Sequence, residues 1–260
     1  MAGLTFRLLG QGIAYSASPA MMAAAFAALD LEHRYVLTDV APENVAAIVE
    51  SLRDDSAGGA NVTVPHKAAV AALVDEMSAE AREAQAVNTV VREGRRLTGH
   101  NTDLPATMEA IHRLRPGRVQ HAVILGAGGA GRAVRLALVK AGASATSVLH
   151  RSDGSMTRLA DELATADLLV NATPVGTGAD ESLIPVDLLR PDLAVLDLVY
   201  RPSPTRLVRD ARAAGARAEA GGGILLGQAW RSLELWLERP APIEVMRTAL
   251  VTELGEGADA

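Results

Sequence analysis

The chain has 260 residues, of which 49% are hydrophobic and only 3% aromatic, so its core must be built from Ala, Val, Leu and Ile, as is usual for helices packed on a parallel sheet. Its net charge of −6 is spread along the chain, which argues against a nucleic-acid partner. The absence of cysteine excludes disulfides and thiolate nucleophiles, and no apolar run is long enough to cross a bilayer, so we expect a cytoplasmic protein without a membrane partner or a metal site.

The first hundred residues alternate between short apolar runs and helical patterns, which predicts a β-α-β-α-β arrangement. Proline follows Ser18 and Ala41, and a proline at the first helical position is tolerated because its missing N–H needs no partner there. Residues 92–95 predict a hairpin turn and an antiparallel edge strand. The predicted strands are 4–9, 33–40, 60–64 and 87–91, and the predicted helices are 19–29, 42–52 and 68–74.

A second α/β pattern follows a helix predicted over 104–114 and a breaker cluster at 115–118 that is typical of a linker. Its predicted strands are 121–125, 146–149, 167–170, 193–196 and 216–219, and the predicted helices are 129–140, 156–163, 186–189 and 205–214. Two more helices, 225–237 and 243–254, come after the alternation ends, so we expect them to fold back on the first domain. The predicted fold class is therefore α/β with two domains, 1–104 completed by 224–260, and 105–223.

A glycine-rich turn, Gly126-Ala127-Gly128-Gly129-Ala130-Gly131, joins an apolar strand to an Ala-rich helix. Gly126 permits the tight turn, Gly128 lets the backbone approach a pyrophosphate, and Gly131 lets helix and strand pack closely. The helix N-terminus supplies free N–H groups to the phosphates. The motif predicts a Rossmann-like dinucleotide-binding domain, although an ordinary glycine-rich turn has the same local pattern.

The next strand of this domain ends in His150-Arg151-Ser152. An acidic residue there would bind the ribose 2′-hydroxyl of NAD, whereas Arg151 and Ser152 suit the 2′-phosphate of NADP. Arg158 on the following helix could join them, but Asp153 would oppose an anion, and Arg151 could equally be a solvated loop residue. We expect NADP, with NAD still possible.

Polar residues interrupt the strand ends of the first domain, where open α/β sheets place their ligand sites. They are Asn61, Thr63, Lys67, Asn88, Thr89, Asn101, Thr102 and Asp103. Reduction of a ketone by hydride transfer needs a proton donor, and a lysine held beside a carboxylate can give a proton to the alkoxide or take one from the alcohol. Lys67 and Asp103 are the candidate pair, although a surface lysine and a helix N-cap aspartate would give the same sequence.

Four further residues are candidate ligand groups. Ser16 and Ser18 precede a helix and could hold a substrate carboxylate, although Ser18 is equally an ordinary N-cap. Tyr200 follows a strand and Gln228 lies on the penultimate helix, both in apolar surroundings. Either could simply be a satisfied core or rim residue.

Taken together, these segments resemble the shikimate dehydrogenase family, which includes shikimate and quinate dehydrogenases, in the order in which that family carries them. The resemblance covers almost the whole chain. The matching segments are 13–19, 61–67, 86–89, 101–103, 126–131, 171–176, 197–200 and 223–229. Several collinear matches of this kind favour Lys67 and Asp103 as a functional pair over unrelated surface residues.

The resemblance implies reversible, NADP-dependent reduction of 3-dehydroshikimate to shikimate, a step of the chorismate pathway in aromatic amino-acid biosynthesis. It implies that the first domain binds the small ring acid, that the second binds NADP, and that Lys67 and Asp103 are the acid/base pair. The implied substrate contacts are Ser16, Ser18, Asn61, Thr63, Asn88, Tyr200 and Gln228. The implied cofactor contacts are residues 126–131, His150, Arg151, Ser152, Arg158, Thr173, Pro174 and Gly223.

The chain departs from the family pattern at four places. The family commonly has His where Tyr15 stands, Gly where Leu104-Pro105 stands, an Asn-Arg-Thr triplet at 150–152, and Met where Ile224 stands. The first two concern the substrate, so a quinate or aminoshikimate dehydrogenase using NAD or NADP stays open, and the last two concern the cofactor. A non-catalytic dinucleotide-binding regulatory module is a third hypothesis, against which the retained Lys67 and Asp103 argue. The sequence leaves monomer and homodimer open.

Overall fold

A computed structural model describes residues 3–255 and 258 of the chain. The chain divides into two compact α/β units, Met1–Asp103 with Leu226–Glu253, and Leu104–Leu225 with Leu254–Ala260. The outermost ends of the predicted first domain, at 1–2, 256–257 and 259–260, lie outside the described residues. Each unit is built on one sheet, which confirms the predicted fold class.

The first unit contains a mixed six-stranded sheet. Its strands are β1 (Thr5–Gly10), β2 (Arg34–Asp39), β3 (Ala57–Val62), β4 (Glu76–Met77), β5 (Thr89–Glu93) and β6 (Arg96–His100). They pair in the order β2-β1-β3-β5-β6-β4, with β1, β2 and β3 parallel and β5 antiparallel to both of its neighbours. Thr89 pairs with Asn61 on one side and with His100 on the other. The ends of β3 and β6 and the start of β5 therefore meet at one end of the sheet.

Four short helices pack around this sheet. They are α1 (Ser18–Ala28), α2 (Val45–Ser51), α3 (Lys67–Ala71) and α4 (Ala79–Ala84). Pro19 lies in the first turn of α1, as predicted, and Pro42 begins a 3-10 turn that leads into α2. The sequence pattern missed β4 and α4, which are too short to show a period. The β5–β6 hairpin is antiparallel as predicted, but it does not form the sheet edge, because β4 pairs with the outer side of β6.

The second unit contains five parallel strands. They are β7 (His121–Leu125), β8 (Ala145–Leu149), β9 (Leu168–Asn171), β10 (Ala194–Asp197) and β11 (Ala218–Ala220). Their order is β11-β10-β9-β7-β8, so the direction of chain progression reverses between β7 and β9. Open α/β sheets bind ligands at the carboxyl ends of the strands at such a switch point.

Both faces of the second sheet are covered, because alternate residues of its strands enter different apolar clusters. Its helices are α5 (Asp103–Leu114), α6 (Gly129–Lys140), α7 (Leu159–Thr165) and α8 (Arg206–Ala213). The helix predicted at 186–189 is only a 3-10 turn, Val186–Leu188, and the segment predicted to begin a helix at 156 starts as a 3-10 turn, Ser155–Arg158.

Two helices follow the second alternation, α9 (Gly222–Leu237) and α10 (Ile243–Leu254). The part of α9 that belongs to the first unit packs on that unit's sheet. The indole Nε1 of Trp236 donates to the Val90 carbonyl at 2.9 Å, and its ring lies 4.7 Å from that of Phe6. Within residues 3–255 and 258, none of the helices combines the length and apolarity that crossing a bilayer requires.

Candidate active site

Lys67 and Asp103 form an ion pair in the first unit. The Nζ of Lys67 lies 2.6 Å from the Oδ2 of Asp103, and the two side chains are 31% and 24% exposed. Lys67 is the first residue of α3 and Asp103 is the first residue of α5, so both follow the end of the sheet where β3 and β6 finish. The carboxylate holds the ammonium in place, and a lysine with three N–H donors keeps others for a bound ligand. The sequence therefore predicted correctly that the two residues meet.

A buried hydrogen-bond network joins the strands that lead to this pair. Asn61, at the end of β3, donates from Nδ2 to the hydroxyls of Ser232 at 2.9 Å and Thr89 at 3.1 Å. Its Oδ1 accepts a hydrogen bond from the Tyr35 hydroxyl at 2.8 Å. Ser232 is fully buried and donates to the Gln228 carbonyl at 2.9 Å. Both ends of the Asn61 amide thus bind protein groups. These bonds link β3 to the elements that carry Tyr35, Thr89 and Ser232.

Asn88 fixes the backbone from which Asp103 projects. Its Oδ1 accepts from the Thr102 N–H at 2.8 Å, and its Nδ2 donates to the Thr102 hydroxyl at 2.9 Å. Both residues are buried, which strengthens these bonds. Because Thr102 directly precedes Asp103, these bonds fix the backbone from which the carboxylate reaches Lys67.

The loop after β1 lies beside the loop after β3. The Gln11 N–H donates to the Val64 carbonyl at 3.0 Å, and a Cβ on Gly10 would lie only 2.5 Å from the Thr63 methyl group. These contacts bring Thr63 to the same end of the sheet as Lys67. The two loops pass so close together that only glycine fits at position 10.

Ser16 and Ser18 stand at the start of α1, but neither is its N-cap residue. The cap position is Ala17, while the Ser16 hydroxyl accepts from the Ser18 N–H at 3.3 Å. The expectation that Ser18 is an ordinary N-cap is therefore wrong. Ser18 is buried and hydrogen-bonds the Tyr35 phenol, and burial raises the pKa of Tyr35, so the phenol stays protonated and donates to Asn61.

Gln228 and Tyr200 lie in different units. Gln228 is a nearly buried residue of α9 in the first unit, one turn before Ser232. Tyr200 follows β10 in the second unit and is half-buried. Gln228 is therefore part of the same unit as Lys67, whereas Tyr200 is part of the unit that contains the glycine-rich turn.

The glycine-rich turn has the geometry that its sequence predicts. Gly126 has a φ of +104°, which side chains rarely adopt. A Cβ on Gly131 would lie 1.9 Å from the Gly126 carbonyl oxygen, so only glycine allows this approach of helix and strand. A Cβ on Gly128 would meet nothing within 4 Å. The open space at Gly128, just before the N-terminus of α6, fits a pyrophosphate.

The loop after β8 presents one uncommitted cation. Within residues 3–255 and 258, Arg151 is exposed and makes no ion pair, whereas Arg158 pairs with Glu162 at 3.3 Å. His150 contacts the Ser152 hydroxyl through Nδ1 and the Asp153 carboxylate through Nε2, each at 2.8 Å. Hydrogen bonds from Ser155 lower the pKa of Asp153, and the Asp153 carboxylate contacts His150 rather than Arg151.

Thr173 and Gly223 have close protein neighbours. Thr173 donates to the Asn171 Oδ1 at 2.6 Å, and its methyl group lies 3.1 Å from the position of a Cβ on Gly126. Pro174 follows it in the same loop. Gly223 is the second residue of α9, and a Cβ there would lie 2.9 Å from the Arg113 guanidinium.

Comparison with known proteins identifies the family. Residues 8–90 match the shikimate dehydrogenase substrate binding domain, and residues 221–251 match the shikimate 5′-dehydrogenase C-terminal domain. The shikimate dehydrogenase (NADP(+)) of Methanopyrus kandleri is 39% identical over 95% of this chain and 94% of its own. That of Dehalococcoides mccartyi is 36% identical over 93% of each. The chain belongs to the shikimate dehydrogenase family.

Solved structures of the shikimate dehydrogenase family have the same fold as this chain. The crystal structure of shikimate 5-dehydrogenase from Thermus thermophilus, in complex with NADP(H) and shikimate, is 38% identical to this chain. The two match with a TM-score of 0.86 over 96% of this chain and 100% of the other. The likeness therefore spans both units.

Sequence reasoning missed several polar groups of this family member. The partners of Ser232 and Tyr35 lie far away in the chain, so nothing in the local sequence marks either residue. Arg132, in the first turn of α6, is exposed and donates to the Ala127 carbonyl at 3.3 Å, over the glycine-rich turn. A cation directly after a phosphate-binding motif was a signal that could have found Arg132.

Proposed function

We propose that this chain is an NADP-dependent shikimate dehydrogenase that catalyses the reversible reduction of 3-dehydroshikimate to shikimate. The observation that carries the proposal is the Lys67–Asp103 ion pair, in which Nζ and Oδ2 are 2.6 Å apart. The names of the Methanopyrus and Dehalococcoides relatives, and the ligands of the Thermus structure, support the choice of substrate and cofactor. We assign the reaction to aromatic amino-acid biosynthesis in the cytoplasm.

The proton transfer is the task of Lys67. When bound, NADPH supplies the hydride that reduces the carbonyl carbon. Lys67 donates a proton from Nζ to the oxygen of the resulting alkoxide, and in the reverse direction its neutral amine takes the proton from the alcohol. Asp103 keeps Nζ pointing to one place and stabilises the ammonium between turnovers. A positioned acid of this kind contributes about 10²–10⁴-fold to the rate.

Substrate binding falls to polar groups near this pair. Ser16 and Ser18, beside the start of α1, hold the ring carboxylate with help from the helix N-terminus. Ring hydroxyls meet uncharged polar groups, and Tyr200 is a further proposed substrate contact. The uncharged groups are Asn61, Thr63, Asn88 and Gln228. A site built to hydrogen-bond each hydroxyl rejects rings that lack one.

The second unit holds the cofactor. The pyrophosphate lies against the glycine-rich turn 126–131 and the N-terminus of α6, where Gly128 leaves open space. Arg151, with Ser152 and His150, faces the 2′-phosphate, and Arg158 is a weaker contributor because Glu162 already pairs with it. Residues Thr173, Pro174 and Gly223 complete the cofactor contacts.

The test is a steady-state assay that follows the absorbance of the reduced nicotinamide. Shikimate, quinate and aminoshikimate are each combined with NADP⁺ and with NAD⁺. We expect the highest kcat/KM for shikimate with NADP⁺. A higher kcat/KM for quinate or for NAD⁺ would reassign the substrate or the cofactor, and cofactor binding without turnover of any ring acid would contradict the enzymatic function.

A further inference from the structure

The second unit buries a carboxylate that the proposed reaction does not use. Asp197, the last residue of β10, is only 1% exposed. Its Oδ1 accepts from the Asn171 Nδ2 at 2.8 Å and from the Val199 N–H at 3.1 Å, and its Oδ2 accepts from the Thr205 hydroxyl at 2.7 Å. All of these donors are uncharged. Burying a carboxyl group among uncharged donors costs stability, so its presence here calls for another explanation.

The carboxylate dictates how the Asn171 amide is oriented. The Asp197 Oδ1 is an acceptor, since it also takes the Val199 N–H, so Asn171 turns its NH₂ group towards it. The opposite end of the amide, Oδ1, then points at Thr173 and accepts both its hydroxyl at 2.6 Å and its N–H at 3.1 Å. The Thr173 hydroxyl in turn accepts from the Val175 N–H at 3.3 Å. The donor and the acceptor of each hydrogen bond from Asp197 to Val175 are therefore fixed.

The chain of bonds ends at the switch point of the sheet. Thr173 lies in the loop after β9, and Gly126 lies in the loop after β7, the two strands between which the order reverses. A Cβ on Gly126 would lie 3.1 Å from the Thr173 methyl and 3.0 Å from the Ala172 carbonyl oxygen. A shift of the Thr173 loop would therefore press on the glycine-rich turn or leave it unsupported.

The same carboxylate reaches a second loop. Thr205 is the N-cap residue of α8, where its hydroxyl accepts from the Val208 N–H at 3.2 Å while it donates to Asp197. Val199 directly precedes Tyr200. Asp197 thus ties together the loop that carries Thr173 and the segment that carries Tyr200.

We propose that Asp197 is a positioning residue for the dinucleotide. Asp197 acts through Asn171, which holds the Thr173 loop against the glycine-rich turn. The inference rests on the proposed function in one respect, that the dinucleotide lies at this switch point. Asp197 itself does not touch the cofactor.

Stability does not explain this aspartate. Burial raises the pKa of Asp197, although the hydrogen bonds from Thr205, Val199 and Asn171 oppose the rise. A carboxyl group whose folded pKa is raised above its unfolded value makes the fold less stable as the pH rises through that range. Burial of this carboxyl group therefore makes the fold less stable as the pH rises, as is often found for groups arranged for function.

The test compares three single variants and one double variant of the full chain by calorimetric titration with NADP⁺, which needs no turnover. Asp197→Ala should weaken NADP⁺ binding about tenfold or more, because the Asn171 amide loses its orientation. Asp197→Asn should stay within about threefold of wild type, because its Oδ1 still accepts from Asn171 and its Nδ2 can donate to Thr205. Asn171→Ala should weaken binding like Asp197→Ala, and the double variant should be little worse than either, since the two act along one path.

Asp167 provides a matched control at the other end of the same sheet. It directly precedes β9, is 16% exposed and accepts from the N–H groups of Gln120 and His121, both at 3.0 Å. Asp167→Ala should lower the free energy of unfolding without changing NADP⁺ affinity. The KM for shikimate should stay within about twofold in Asp167→Ala, because Lys67 and its neighbours lie in the other unit.

Three results would overturn the inference. They are wild-type NADP⁺ affinity in Asp197→Ala, an equal loss of affinity in Asp167→Ala, and additive losses in the double variant. If Asp197→Ala does not fold, Asn171→Ala and Thr173→Val take its place, and wild-type affinity in both has the same meaning. A wild-type chain that binds NADP⁺ but does not oxidise shikimate would refute the proposed function alone.

Discussion

The hydroxyl of Ser232 lies 2.9 Å from the Nδ2 of Asn61, although 171 residues separate them in the chain. This bond joins α9 to the end of β3, next to the loop that leads to Lys67. The penultimate helix, which carries Gln228, is therefore also part of the scaffold around the Lys67–Asp103 pair.

Ser232→Ala should lower both stability and activity. The substitution removes a buried partner of Asn61 and Thr89, so we expect a loss of about 1–2 kcal/mol in the free energy of unfolding. Urea denaturation measures this loss. The Ser232 hydroxyl also lies 3.3 Å from that of Thr102, which directly precedes Asp103, so kcat should fall several-fold. Thr248→Ala is the matched control, because Thr248 makes the same bond to the carbonyl four residues before it, at 2.8 Å, but on an exposed face. Equal losses in both variants would contradict a special role for Ser232.

Arg151→Ala should weaken NADP⁺ more than NAD⁺. Arg151 is exposed and free of an acidic partner within the described part of the chain, so its charge is available to the 2′-phosphate. A charge-assisted hydrogen bond to a phosphate is worth about 1.5–3 kcal/mol, which corresponds to roughly 10–100-fold in KM for NADP⁺. Arg158→Ala, whose guanidinium is already paired with Glu162, should have a smaller effect. Equal changes in KM for NADP⁺ and NAD⁺ would show that Arg151 does not read the phosphate.

His33 should make the fold sensitive to mild acid. Burial and the nearby Arg239 lower the pKa of His33, and its Nδ1 accepts from the Leu4 N–H at 3.1 Å, which requires the neutral ring. Below the unfolded pKa of about 6.5, His33 is protonated in the unfolded chain but stays neutral in the folded chain. The free energy of unfolding therefore decreases as the pH is lowered. His33→Asn keeps an acceptor but cannot titrate. Its Tm should therefore drop less than that of wild type between neutral pH and mild acid, and an equal drop would contradict this role.

Most of the fold could be predicted where a strong local pattern coincides with a turn signal. The strand His121–Leu125 and the helices Gly129–Lys140 and Ile243–Leu254 have the predicted bounds, because apolar periodicity and glycine or proline punctuation agree there. The two-residue strand β4 and the six-residue helix α4 could not be predicted, since neither is long enough to show a period. They exist because of their contacts with β6.

The candidate site likewise contains residues that the sequence could predict and residues that it could not. Lys67, Asp103 and the glycine-rich turn could be found because their residue types announce their chemistry at strand ends. Ser232 and Asp197 could not, because their roles come from partners that only the folded chain brings near. A serine in a helix or an aspartate after a strand has many ordinary explanations until those partners are visible.

The most direct test of the account is the turnover of Lys67→Ala with shikimate and NADP⁺. Lys140→Ala, on the surface of α6, serves as the control and should behave like wild type. If Lys67 carries the proton, kcat should fall by about 10²–10⁴-fold while KM for shikimate changes by no more than about tenfold. An unchanged kcat in Lys67→Ala would remove this lysine from the chemistry and contradict the account.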